Sequence, residues 1–100
     1  MSNNSSNKRI VILGRDSSSL DGLTRILEGA GYIVASTTND GVAIDMVGSS
    51  SYDALLIGRD VAEADRRYVA TESRNRDDGI LVLTVNSPRS ILIQLSQALP

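Results

Sequence analysis

Two apolar patterns alternate along this chain: short unbroken apolar runs, and longer stretches in which apolar residues recur every three or four positions. The runs predict buried strands and the periodic stretches predict amphipathic helices. The predicted elements are strand 8–13, helix 17–29, strand 32–37, helix 40–50, strand 53–58, helix 62–75, strand 79–85 and helix 88–99. Their strict alternation predicts an α/β fold built around a mostly parallel sheet.

Polar residues and glycines lie where the first two helices should begin and end. Ser17 and Ser18 precede the first apolar stripe and Asn39 precedes the second, so each of them suits an N-cap. Asp16 would cap the first helix or place favourable negative charge at its start. Gly29-Ala30-Gly31 suits its end.

Helix 62–75 has the weakest pattern of the eight elements, because charged residues occupy most of it. The residues that remain to face a core are Val61, Ala64, Tyr68 and Val69.

Composition places the chain among single globular domains. Its 100 residues are 41% hydrophobic and 22% charged, which is ordinary for a folded domain. The net charge of −2 argues against a nucleic-acid partner, and no apolar run approaches the ~20 residues that a membrane span needs. The absence of cysteine excludes disulfides and thiolate chemistry.

The first residues are expected to be a disordered lead, and residues 8–100 a single domain. Residues 1–7 have neither the basic start nor the apolar centre of a signal peptide. The expected location is therefore the cytoplasm.

Five segments stand in a fixed order between residues 8 and 85. They are Lys8-Arg9-Ile10-Val11-Ile12-Leu13, Glu28-Gly29-Ala30-Gly31-Tyr32, Asn39-Asp40-Gly41-Val42-Ala43-Ile44, Tyr52-Asp53-Ala54-Leu55-Leu56-Ile57-Gly58 and Gly79-Ile80-Leu81-Val82-Leu83-Thr84-Val85. In this order and at this spacing they resemble the response-regulator receiver family, the CheY-like domains. The resemblance implies a flavodoxin-like doubly wound parallel sheet of about four strands, in the order 2-1-3-4.

The family's fifth strand has no counterpart under this threading, since only fifteen residues follow Val85. In an alternative threading, residues 80–85 are the fifth strand, and Ser87-Pro88 stands where the family has Lys-Pro. The family's lysine is absent under either threading.

The resemblance also implies a lost phosphorylation site. Gly58 stands where the family has its phosphoacceptor aspartate, and Gly14 and Arg15 stand where it has the two carboxylates that hold Mg²⁺. The family's hydroxyl survives as Thr84. We therefore expect no Mg²⁺ binding, no cofactor and no phosphoryl transfer.

The same strand ends offer positive charge instead. Arg15, Arg59 and Thr84 could form a weak anion site beside the N-terminus of helix 17–29. The alternative is that Arg15 and Arg59 pair with Asp16 and Asp60, where Asp60 is otherwise a solvated loop residue.

The C-terminal elements suggest an interface. Without a fifth strand, the apolar strand 79–85 lies at a sheet edge that carries no protective charge or proline. In helix 88–99, Leu92, Leu95 and Leu99 form a core stripe that Ile91 and Ile93 widen. Either this helix covers the edge or a second chain does. The interface candidates are Ile80, Val82, Ile91 and Leu95.

Two functions remain open from the sequence. The first is a phosphorylation-independent pseudo-receiver, a non-enzymatic module for protein interaction or homodimer assembly in bacterial signalling. The second is a flavodoxin-like binder of a phosphate or nucleotide ligand, which would use the loop Gly14-Arg15-Asp16-Ser17-Ser18-Ser19. Flavin binding would be expected to use flanking aromatics, and the chain has three tyrosines and no tryptophan or phenylalanine.

Overall fold

The computed structural model describes residues 8–49 and 51–99. Its elements are β1 (Arg9–Leu13), α1 (Ser17–Gly29), β2 (Ile33–Thr37), α2 (Asp40–Ser49), β3 (Ala54–Gly58), α3 (Glu63–Arg76), β4 (Leu81–Val85) and α4 (Pro88–Ala98). All eight predicted elements are present, with small shifts at their ends. The expected lead at residues 1–7 lies outside the described residues.

The four strands form one parallel sheet in the order β2-β1-β3-β4, which confirms the predicted order. The two central strands are almost entirely buried, because helices cover both of their faces. The two edge strands keep partly exposed side chains. The sheet therefore has a dry centre and two wet edges.

Each face of the sheet has its own apolar core. On one face α2 and α3 cover the side chains of Val11, Leu13, Leu55 and Ile57. On the other face α1 and α4 cover those of Ile10, Ile12, Ala54 and Leu56. Successive strand residues point to opposite faces, which is why one apolar run feeds both cores.

The core face of α3 differs from the sequence prediction. Val61 and Val69 are buried as predicted, but Tyr68 is 55% exposed and Ala64 is exposed as well. Ser73 takes the inner position instead and is fully buried. A small side chain fits there because α3 packs closely against α2, where Gly48 leaves room for the side chain of Arg76.

The helix ends are determined by local hydrogen bonds. Asp16 is the N-cap of α1 and accepts from the N–H of Ser19, so Ser17 and Ser18 lie inside the first turn and are not caps. Asn39 accepts from the N–H of Val42, as predicted. Gly31 follows α1 with φ of 99°, a conformation that glycine adopts without steric cost.

The start of α4 has the same form. Ser87 accepts from the N–H of Ser90, and Pro88 occupies the first turn, where a missing N–H costs nothing.

None of the helices in the described ranges is long and apolar enough to cross a membrane.

Candidate functional site

The parallel pairing of β1 with β3 brings together the loops that leave the two central strands. Leu13 lies opposite Ile57 in this ladder, so Gly14 and Gly58 emerge side by side at the carboxyl ends of the strands. In open α/β sheets ligands bind at this edge, which makes it the first place to look for chemistry.

The carboxylate of Asp60 fills the space above Gly58. A Cβ atom on Gly58 would lie 2.7 Å from Oδ1 of Asp60, and one on Gly14 would lie 3.7 Å from the same oxygen. Asp60 is an exposed loop residue, as the sequence suggests, but within the described residues it makes no ion pair with Arg59. Its side chain turns back into the site from two residues after the strand.

Two backbone amides hold this carboxylate in place. Oδ2 of Asp60 accepts from the N–H of Arg15 at 3.0 Å and from the N–H of Asp16 at 2.9 Å. The loop after β1 therefore already binds an anion that belongs to the chain itself. Its amides point at a carboxylate, in the way that similar loops bind external anions.

A second carboxylate, that of Asp16, accepts from an amide in the first turn of α1. Oδ2 of Asp16 accepts from the N–H of Ser19 at 3.2 Å and from its hydroxyl at 2.7 Å. The hydroxyl of Ser19 and then its N–H hold the pKa of Asp16 below the ordinary value of 3.8. The structure confirms that Asp16 caps α1.

The side chain of Arg15 joins the loop after β1 to the loop before α2 and to the first turns of α2 and α3. Nη1 lies 2.8 Å from Oδ1 of Asp40 and donates to the carbonyl of Thr38 at 2.9 Å, while Nη2 donates to Asp65 at 3.2 Å. The charge contact with Asp40 raises the pKa of Arg15 above its ordinary value. The expected pairing of Arg15 with Asp16 or Asp60 is wrong, because its guanidinium reaches away from both.

The three candidate anion ligands do not converge. Arg15 is held by Asp40 and Asp65, and Arg59 lines a cleft on the α1 and α4 side of the sheet. Thr84 lies on the opposite face, in a groove beside Arg66, Arg67 and Arg74 of α3. No single phosphate could touch all three residues.

The cleft near Arg59 has a volume of about 450 Å³ and runs between the start of α1 and the start of α4. Its floor is apolar, formed mainly by Ile12, Leu20, Leu23, Ile26, Val85 and Pro88. The carboxylates of Asp16 and Asp60 lie at its polar end. With Arg59 as the one cation beside two carboxylates, the charged lining of the cleft is net negative, which does not favour a phosphate.

The residues at the strand ends do not fit Mg²⁺ either. Mg²⁺ requires a near-octahedral set of oxygen ligands. Gly14 and Gly58 offer no side-chain oxygen, Arg15 brings positive charge, and Asp60 is held by two amides. Within residues 8–49 and 51–99, no group of three or more acidic, histidine or cysteine side chains could hold a metal ion.

The interface candidates divide into two groups. Ile80, Ile91 and Leu95 lie in the chain's own core, with exposed fractions of 5%, 0% and 0%. Val82 is half-buried at the sheet edge, and Ile93, which was not a candidate, is 53% exposed. The core stripe of α4 is therefore Ile91 and Leu95, flanked by Leu92 and Leu99.

Comparison with known proteins identifies the fold. No protein-family model and no curated protein matches the sequence. Among solved structures, the receiver domain of a sensor histidine kinase from Pseudomonas aeruginosa, with magnesium coordinated in its active-site cleft, is similar with a TM-score of 0.78. It has 13% identity, over 93% of this chain and 98% of that one.

Two further structures give the same result. A CheY-like receiver domain from Methanospirillum hungatei has a TM-score of 0.64 and 18% identity, over 93% of this chain and 94% of its own. A two-component response regulator from Clostridium difficile has a TM-score of 0.65 and 24% identity, over 92% of this chain and 78% of its own. The chain has the flavodoxin-like fold of these receiver domains.

Proposed function

We propose that this chain, whose fold is that of the CheY-like receiver domains, works in signalling without phosphorylation, as a protein-interaction module. The observation that carries the proposal is the position of Asp60. Its carboxylate occupies the space above Gly58 and takes the two amides of the loop after β1. An internal anion thus fills the place where an added phosphoryl group would have to be accommodated.

The charges around the site support the same proposal. Arg15 lies between Asp40 and Asp65 and offsets part of their negative charge, so a cation of the chain itself already joins the loop after β1 to the starts of α2 and α3. We expect neither Mg²⁺ binding nor enzymatic activity.

The alternative, a phosphate or nucleotide binder, has less support. Three amides of its loop, those of Arg15, Asp16 and Ser19, already donate to carboxylates of Asp60 or Asp16. An external phosphate would have to compete with two charged neighbours that are tethered nearby. Tethering gives an internal ligand a high effective concentration, which a free anion at low concentration cannot match.

Phosphodonor treatment tests the proposal. The purified chain would be incubated with acetyl phosphate and Mg²⁺ for intact mass, and with beryllofluoride and Mg²⁺ for amide NMR shifts. We expect an unchanged mass and no shifts in residues 14–16 and 58–60. An acyl-phosphate adduct would contradict the proposal, and the Asp60→Asn variant would then show whether Asp60 had become the acceptor.

Ligand screening separates the alternative. A flavin absorbance band, or a rise in melting temperature with nucleotides that Ser19→Ala abolishes, would favour the ligand binder. We expect neither.

A further inference from the structure

We propose that the partner of this module is a second copy of the chain, paired antiparallel along β4 about a two-fold axis at Leu83. This inference rests on the proposed function, since it names the partner. It starts from the row of peptide groups along the outer side of β4.

The outward-facing peptide groups can be identified from the hydrogen bonds of the sheet. The N–H of Leu81 donates to the carbonyl of Asp53, beside β3. Peptide groups alternate in direction along a strand, so those of Leu83 and Val85 also face β3 and those of Val82 and Thr84 face outward. These outward groups are a template for another strand.

Neither neighbouring helix covers this row. The side chains of Ile91 and Leu95 bury α4 in the core on the α1 face, while α3 lies on the other face with α2. In the described part of the chain, no hydrogen bond joins the backbone of β4 to α4. The sequence left open whether the last helix or a second chain covers this edge. In the structure α4 does not cover it.

One register matches the outward groups to each other. If Leu83 lies on the two-fold axis, Val82 of one copy faces Thr84 of the second copy, and each such pair exchanges two N–H···O bonds. On the α4 side, Leu81 then faces Val85 of the second copy, and the two Leu83 side chains meet. These apolar positions are only half-buried in the single chain, so pairing would remove more of their surface from water.

Charge at the two ends of β4 favours the antiparallel direction. Asp77 and Asp78 come just before the strand, and Arg89 comes four residues after it. Asp78 and Arg89 are exposed, and within the described residues neither makes an ion pair. In an antiparallel pair about Leu83, the end of β4 that follows Asp77 and Asp78 in one copy lies near the end that precedes Arg89 in the other.

The other edge of the sheet lacks this self-complementarity. β2 is bounded by Tyr32 and Thr38, so an antiparallel pair of β2 strands would bring no opposite charges together. Its outward peptide groups are those of Val34 and Ser36, because the N–H of Ile33 donates to Lys8 next to β1. Val34 and Ser36 therefore serve as internal controls.

A single introduced cysteine tests the register. The chain has no cysteine, so any disulfide in a variant arises from the introduced residue. Residues on the axis of a non-hydrogen-bonded pair have Cα atoms about 4.5 Å apart, within the range that a disulfide spans. Leu83→Cys should form a disulfide-linked dimer under mild oxidation, while Thr84→Cys and Ser36→Cys, its matched controls on the same and the opposite edge, should not.

Hydrogen exchange and light scattering on the full wild-type chain test the pairing itself. Between about 10 μM and 1 mM, a range suited to a small interface, we expect a monomer–dimer equilibrium. The amides of Val82 and Thr84 should gain protection with concentration, while those of Val34 and Ser36 should not. Thr84→Pro removes an outward N–H without breaking the sheet, so it should weaken dimerisation about tenfold or more.

Charge reversal supplies a rescue. Asp78→Arg and Arg89→Asp should each weaken dimerisation about fivefold, and the double variant should restore it. A wild-type chain that stays monomeric at the highest concentration would overturn the inference, as would a dimer that leaves Val82 and Thr84 unprotected or protects Val34 and Ser36. A monomer without an acyl phosphate would still leave the proposed function standing, and a phosphorylated dimer would remove that function while keeping the pairing.

Discussion

The carboxylate of Asp60 occupies the space that any side chain at Gly58 would need, because a methyl group there would lie 2.7 Å from Oδ1 of Asp60. A side chain at position 58 is therefore incompatible with the present position of the Asp60 carboxylate. A glycine at position 58 permits the inward position of Asp60, and that position gives the loop after β1 its hydrogen-bond acceptor.

The Gly58→Ala variant should be less stable than the wild type by about 1 kcal/mol, because Asp60 must leave two amides. In an Asp60→Ala background the same change should become neutral or stabilising by about 0.5 kcal/mol, since alanine restricts the unfolded chain. Among the described residues Gly31 is the one glycine with positive φ, so the backbone of Gly58 accepts alanine. Urea unfolding of the four proteins measures the coupling; additive effects would contradict the exclusion.

Arg15→Gln should destabilise the chain by about 1 kcal/mol, because it removes the contacts to the starts of α2 and α3 and leaves Asp40 and Asp65 without their cation. The effect should shrink in about 1 M salt, where charges at the surface are screened. Arg67→Gln is the matched control: its pair with Glu63 is mostly exposed, with side-chain fractions of 78% and 67%, and should contribute under about 0.5 kcal/mol. Equal losses of stability in both variants would argue against a special contribution from the Arg15 contacts.

Stability should depend on pH through Asp16. Its pKa is lowered by the hydroxyl and N–H of Ser19, so the ionised form stabilises the folded chain. This contribution is present above the ordinary pKa of 3.8 and is lost as pH falls through the lower folded value. Asp16→Asn should therefore lower the melting temperature at neutral pH and approach the wild type in strong acid.

The control for this pH dependence is Asp21→Asn in the same helix, where the structure shows no capping bond. If the difference in melting temperature between wild type and Asp16→Asn stays constant down to about pH 2, the charge of Asp16 does not contribute to the capping of α1.

Alanine should change the stability of the chain differently at two helix glycines. Gly22 in α1 has open space around a new Cβ atom, so Gly22→Ala should stabilise the chain by about 0.5–1 kcal/mol. At Gly48 in α2 the new atom would lie 3.1 Å from Nη1 and 3.3 Å from Cβ of Arg76. Gly48→Ala should therefore gain less or lose stability, and equal gains in thermal unfolding would show that α2 and α3 are less tightly packed than the structure indicates.

The sequence predicts the elements and the sheet order because their signals are local or resemble a known pattern. Apolar runs such as Leu55-Leu56-Ile57 can only be satisfied by burial on both faces, and Gly31 and Pro88 mark a helix end and a helix start. The core face of α3 is predicted only in part, because one of its two buried positions is Val69 and the other is Ser73, whose polarity gives no apolar signal.

The site is less predictable because its contacts are remote along the chain. Asp60 meets the amides of residues more than forty positions earlier, and Asp65 meets Arg15 across fifty positions. Nothing in the neighbouring sequence indicates that these aspartates make such contacts. The missing side chain at Gly58 was the available clue, because the space it leaves must be filled by a neighbour.

The side of the sheet on which α4 lies limits how far the sheet can grow. Crossovers between parallel strands are almost always right-handed, so each face serves one direction of travel. Here α1, on one face, connects β1 to β2, whereas α2 and α3, on the other face, connect strands in the opposite direction, toward β4. Because α4 lies on the α1 face, a parallel strand that followed it with the usual hand would have to be added beyond β2. The sheet beyond β4 is thus closed to a further unit of this kind, and a strand placed there would have to be antiparallel or come from another molecule.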